Sequence, residues 1–169
     1  MGFKLIFFWP TQRGMPGMES LSISTAVEIA QQCTCFNLRK ATRAITLMYD
    51  REFRPSGLRT TQFLLLTQIK VSAPITIKPL AGKMLMHRTA LARNLKLLEK
   101  KGLIKIEPGH DRRERNILLI RSGQKALIRA YPLWEHAQGK AAKHFGKKQL
   151  NHFLSELSAL AVTLNSNAK

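Results

Sequence analysis

Arg88, Thr89, Arg93 and Lys96 share a short segment of the chain with Leu91, Leu95 and Leu98. Steps of four and three residues put the leucines on one helical face, which leaves the cationic and hydroxyl side chains on the opposite one. Such a helix can pack on its own domain while its polar groups reach into a nucleic-acid groove. Arginine donates two hydrogen bonds to the guanine edge, and threonine meets a thymine methyl or a phosphate. A second set, Arg112, Arg113 and Arg115, follows in the polar loop 107–115. A narrow minor groove concentrates negative potential that attracts an inserted arginine. Asp111, acidic among these cations, is read as the group that orients Arg113 two residues on. Taken alone, each set is also what a solvated surface helix or a charged hairpin turn would carry. In this order, helix then loop, they point together to DNA.

The remaining reactive side chains are sparse. Cys33 and Cys35 are too few and too close for a secreted disulfide framework, so reduced thiols in a cytosol are expected. Two readings of them stay open. One is a peroxide-responsive thiol whose ionisation is favoured by a helix N-terminus and cationic neighbours; the other is a pair of small residues in a dimer contact. The five histidines, His87, His110, His136, His144 and His152, show no metal-ligand spacing, so no metal site is expected. Neither a glycine-rich phosphate loop nor a nucleophile elbow is present. The chain is therefore not read as an enzyme, and it calls for no cofactor.

Charge supports a polyanionic partner. The 169 residues carry 28 Lys and Arg against 10 Asp and Glu, a formal charge of +18. Residues 71–121, which contain both cationic sets, hold twelve basic and four acidic side chains and are the most basic stretch. Nucleic acid is the leading partner for such a chain, with an anionic membrane surface second. A hydrophobic content of 44% is ample for a core. The apolar run Leu5–Trp9, ended by Pro10, is far short of the ~20 residues of a membrane span. With Met15 and Met18 close behind, residues 1–17 are read as a tail or as a start codon placed too early.

The elements that must position the cationic sets can be read from periodicity. Leu38, Thr42, Ile45 and Tyr49 predict a helix from Thr34 to about Arg51, broken by Pro55-Ser56-Gly57. Phe63, Leu64, Leu65, Leu66 and Ile69 predict a central helix over about 60–70, apolar nearly all round and hence buried. A short helix over Ile77–Met84, capped by Thr76, precedes the helix 88–101, which Gly102 stops. Two strands, 103–106 and 116–120, flank the arginine loop. This order is a winged helix-turn-helix. A long helix then runs to about Phe145, with a kink expected at Pro132. The last helix repeats Leu150, Phe153, Leu154, Leu157, Leu160 and Leu164, a stripe that wants a partner.

With those elements in view the sequence resembles the MarR family, the winged-helix regulators named for multiple antibiotic resistance. The resemblance rests on Arg88-Thr89-Ala90-Leu91-Ala92-Arg93-Asn94-Leu95, on Leu98-Glu99-Lys100-Lys101-Gly102-Leu103-Ile104 and on Asp111-Arg112-Arg113. Asn37–Ala41, Tyr49-Asp50 and Pro55–Phe63 extend it, so that it covers about 34–165. It implies a homodimer whose first and last helices intertwine and whose winged lobes bind a pseudo-palindromic duplex. By the same resemblance Asp111 holds the wing and Arg113 enters the minor groove. Members usually repress transcription and are released by a phenolic or lipophilic ligand or by thiol oxidation. Two positions depart from the pattern, His87 standing where an aspartate cap is common and Ile120 where a threonine opens the following helix. A ligand pocket in this architecture would lie between the dimer helices and the lobe. Arg39, Arg43, Tyr49 and Phe63 are its candidate lining, with core packing the stronger reading for the last two.

The sequence thus predicts a mainly α fold with a small β-hairpin wing. Residues 1–30 are expected to form an N-terminal tail or extension, 31–58 and 123–169 a helical dimerisation region, and 59–122 the winged helix-turn-helix. The expected function is a cytoplasmic, dimeric, sequence-specific DNA-binding regulator with a possible small-molecule effector and no membrane partner. Arg88, Thr89 and Arg93 would meet the major groove, Arg113 the minor groove, and Lys96, Arg112 and Arg115 the phosphates. The alternatives are a non-specific architectural DNA binder and a peripheral membrane protein.

Overall fold

A computed structural model describes residues 21–109 and 114–166 of the chain. The helices are α1 (Ile23–Gln32), α2 (Thr34–Phe53), α3 (Thr60–Ser72), α4 (Ile77–Met84), α5 (Arg88–Lys100), α6 (Arg121–Phe145) and α7 (Lys147–Ser166). The strands are β1 (Ile75–Thr76), β2 (Ile104–Pro108) and β3 (Arg115–Leu119). The chain divides into two compact units, one up to Thr42 and one from Arg43 onward, with α2 running across the boundary.

In the first unit, α1 begins inside the stretch 1–30 that the sequence marks as an N-terminal tail or extension. Ser22 caps it, its Oγ accepting the Thr25 N–H at 3.1 Å. None of its residues is buried, and Ile23 is 85% exposed. Asn37 closes the step into α2 by donating to the carbonyls of Gln31 and Cys33, both at 3.0 Å.

In the second unit, a core of Phe53, Leu65, Leu66, Ile69, Leu80, Leu91, Leu95, Leu98 and Ile117 is almost fully buried. These side chains come from α2, α3, α4, α5 and β3. Asp50 ties α2 to the start of α3, its carboxylate accepting both the N–H and the hydroxyl of Thr60 at 2.7 Å. α3 is a core helix, with Gln62, Phe63, Leu65, Leu66 and Ile69 buried, but part of its surface stays open. Leu64 is 46% and Val71 76% exposed, because α4, α6 and β3 cover only part of its circumference.

The wing is more than a hairpin. β3 pairs antiparallel with β2 and, on its other edge, with β1, in the order β1-β3-β2. Ile75 faces Ile117 across that added edge. Two residues are too short for any alternation to show, and the sequence reading has Thr76 only as the cap of α4. Thr76 correspondingly joins the ladder, and its side chain makes no capping hydrogen bond to α4.

α6 is seated through small residues. Gly123, Ala126, Ala130, Ala137 and Ala141 are buried, whereas Ile128 and Tyr131 are 72% and 51% exposed. A Cβ at Gly123 would lie 2.1 Å from the Leu103 carbonyl oxygen, so only glycine allows α6 to start against the β2 approach. The helix continues through Pro132. α7 follows after Gly146 and buries only Leu150.

Candidate nucleic-acid interface

α4, the turn Leu85–His87 and α5 build the first cationic surface. Leu85 sits at φ +47°, in the left-handed region that a non-glycine side chain adopts at a cost, and it reverses the chain between the two helices. Met86 N–H then returns to the Ala81 carbonyl at 3.0 Å. The His87 ring does cap α5, its Nδ1 accepting the Thr89 N–H at a long 3.4 Å. A long bond of this kind is a weaker cap than the aspartate common at this position would make.

The two faces of α5 separate as its spacing predicts. Leu91, Leu95 and Leu98 are 0%, 1% and 0% exposed. Arg88, Thr89, Ala92, Arg93 and Lys96 are all exposed. None of these cations has a salt-bridge partner among the described residues.

α5 is held to its surroundings at its C-terminal end by two side chains. Glu99 Oε1 accepts the Ile106 N–H at 3.3 Å, which ties the helix to β2 of the wing. Lys101 Nζ, at the C-cap, donates to the Gly57 carbonyl at 3.0 Å and to Gln62 Oε1 at 3.2 Å, which anchors the same end to the start of α3. Sequence reasoning missed both roles, since each partner lies on an element whose position only the fold reveals. The capping position of Gln62, whose Oε1 also accepts the Arg59 N–H at 3.2 Å, was a local signal that could have been noticed.

Gly109 N–H donates to the Glu114 carbonyl at 2.9 Å and closes the two wing strands below the loop. Arg115 opens β3 and is exposed. Asp111, Arg112 and Arg113, together with His110, lie outside the described residues. Lys105 pairs with Glu107 along β2 at 2.8 Å, so that cation is partly neutralised.

The other expected site residues are scattered. Arg39, in the first unit, and Arg43, in the second, are exposed on α2. Tyr49 is half-buried, and its hydroxyl donates to Gln138 Oε1. Burial raises its pKa. Phe63 is 7% exposed and packs on Phe53 with ring centroids 4.7 Å apart, a core contact. Cys33 is half-exposed, its Sγ accepting the Phe36 N–H at 3.5 Å, and Cys35 is exposed. A shallow cavity of about 620 Å³ instead opens beside the α5 N-terminus, with Lys78, Leu85, Met86, His87 and Arg88 in its lining. Among the described residues no His, Cys, Asp or Glu group could hold a metal ion, and no helix is long and apolar enough to cross a membrane.

Comparison with known proteins accounts for this arrangement. Residues 58–114, which span α3 to the wing, match the MarR family model. The M. tuberculosis transcriptional regulator MosR, solved in complex with DNA, is 33% identical with a TM-score of 0.73, over 80% of this chain and 98% of that one. CouR from Rhodococcus jostii RHA1, solved with p-coumaroyl-CoA, has the same fold at 17% identity and a TM-score of 0.67, over 78% of this chain and 93% of CouR. An uncharacterized HTH-type transcriptional regulator of Bacillus subtilis, YwoH, is 24% identical over 88 residues, 52% of this chain and 64% of YwoH, so the match spans less than two thirds of that relative. The helix-and-wing region and the near-complete match to MosR together show that the chain belongs to the MarR family of transcriptional regulators.

Proposed function

We propose that the protein is a homodimeric, cytoplasmic, sequence-specific DNA-binding repressor. Arg88, Thr89 and Arg93 read base edges in the major groove, and Arg113 enters the minor groove with Asp111 steadying the wing. Lys96, Arg112 and Arg115 hold phosphates. The observation that carries this reading is the exposed cationic face of α5, without a salt bridge among the described residues and fixed to the core by three buried leucines and to the wing by Glu99. The DNA-bound state of MosR, 33% identical, supports it. Release of the operator by a small lipophilic or phenolic ligand, or by oxidation at Cys33 and Cys35, completes the proposal. CouR, of the same fold, binds an aromatic acyl thioester, which favours a ligand of that general character.

A gel-shift titration tests this directly, with the gene's upstream region beside scrambled DNA of equal length. A sequence-reading regulator prefers its operator by about 10³-fold or more at physiological salt. Arg113→Ala should lose most operator affinity with the fold intact. Equal binding to both DNAs would move the protein to the non-specific architectural class, to which its charge of +18 is also suited.

A further inference from the structure

A second concentration of positive charge lies at the corner between α6 and α7. Lys143, His144, Lys147 and Lys148 fall within six residues around Gly146, whose φ of +79° turns the chain from one helix into the next. All four are exposed, and none has a salt-bridge partner among the described residues. Lys140, one turn earlier, is already engaged with Glu52 at 2.6 Å. The nearest acidic residues along the chain are Glu135 and Glu156. Phe145 and Phe153 stack beside the lysines, with centroids 5.8 Å and planes 13° apart, and stay 42% and 39% exposed.

This corner is separate from the helix-and-wing surface. α6 starts beside the wing, where the Ile120 N–H meets the Leu103 carbonyl, and its 25 residues extend about 37 Å before the corner is reached. Like charges disfavour packing the corner against its own copy. A bilayer is disfavoured too. The two rings stack on each other rather than splaying outward, and Gln149, Asn151 and Glu156 interrupt any apolar face. A phosphate backbone suits closely spaced, unpaired ammonium groups without asking for a sequence.

We propose that the α6–α7 corner is a second, sequence-independent DNA contact, which takes the phosphates of another duplex segment while the winged lobe holds the operator. The bridging half of this statement rests on the operator-binding reading; the corner contact does not. Immobilised operator saturated with the full-length protein is challenged with a labelled duplex of random sequence, and operator affinity is measured separately. Wild type should capture the second duplex. The triple variant Lys143→Gln, Lys147→Gln, Lys148→Gln should capture it about tenfold less, with operator affinity changed less than about twofold. In solution, binding of random duplex alone should lose up to about 3 from its log–log salt slope in the triple variant. That second readout stands even where no operator is bound, so failure of the operator reading is seen on its own. Undiminished capture and slope in the triple variant would overturn the corner contact. Absence of DNA capture, with lysine-dependent sedimentation on phosphatidylserine vesicles, would replace it with a membrane contact.

Discussion

Helices α5 and α7 carry leucines at similar helical spacing, yet their surroundings differ completely. In α5, Leu91, Leu95 and Leu98 are at most 1% exposed and belong to a core shared with α3, α4 and β3. In α7, Leu150 alone is buried, while Leu154, Leu160 and Leu164, beyond the α6–α7 corner, remain 45%, 38% and 61% exposed. Burying a leucine fully is worth about 1.5–3 kcal/mol, so α7 leaves several such contributions unused within one protomer. The difference teaches that the winged lobe is complete by itself, whereas the last helix is built for a covering surface. A second copy is the proposed cover.

Truncation at each helix sharpens that contrast most. Leu95→Ala should cost about 2–5 kcal/mol of stability, because the cavity it opens is walled by other buried side chains. The loss should be the same at every protein concentration in urea titrations. Leu164→Ala should cost less than about 0.5 kcal/mol in a dissociated protomer. Its effect should appear instead as a weaker dimer, read by analytical ultracentrifugation or by a midpoint that falls on dilution. A concentration-independent loss for Leu164→Ala as large as that of Leu95→Ala would break the comparison.

Gly123→Ala probes the lobe from another side. Its added methyl would collide at 2.1 Å with the Leu103 carbonyl oxygen, which cannot yield without moving the backbone that leads into β2, and at 2.6 Å with Leu119 Cδ1, a side-chain end that can turn away. A destabilisation of about 1–3 kcal/mol is expected, measurable by thermal melting. Gly139→Ala, on the same helix with nothing within 4 Å of the added methyl, should show no such loss.

Much of this was legible beforehand because α5 obeys a clean three-and-four spacing with cations on one side only. The wing strands were legible for a similar reason, as β-branched and leucine runs around a polar loop. α6 was harder. Its sequence marks a helix but no buried face, because the buried positions are alanines at 126, 130, 137 and 141, whose small side chains permit close helix approach. Hydrophobic periodicity weights size, and here large residues such as Ile128 and Tyr131 stay exposed. β1 and the ties made by Glu99 and Lys101 depend on partners distant in sequence, and no local pattern encodes them.

A smaller effect is expected at Asp50, which holds α2 to the first turn of α3. Partial burial raises its pKa, but the hydrogen bonds from Thr60 and the nearby Arg59 charge outweigh this and hold the carboxyl below its usual 3.8. A folded-state value below the unfolded one means that its contribution is present above pH 3.8 and is lost as pH falls through the lower folded value. Asp50→Ala should therefore cost about 1 kcal/mol near neutrality, as for other lost caps. The gap between variant and wild type should close in acid, where both are measured by urea unfolding. A gap that persisted unchanged well below that range would mean that packing, and not the charge, holds the two helices.

The least disruptive test is His87→Asp. The imidazole reaches the Thr89 N–H only at 3.4 Å, near the limit of a hydrogen bond, and it is exposed. A carboxylate at the same position accepts more strongly and also faces the positive end of the α5 dipole. Thermal melting should register a gain of about 0.5 kcal/mol, independent of protein concentration. That independence matters more than the size of the gain. A cap on α5 acts inside a lobe that is already complete, so its effect belongs to the protomer. If the gain instead grew with concentration, stability at the α5 N-terminus would be coupled to association, and the lobe and α7 could no longer be treated as separate in their needs.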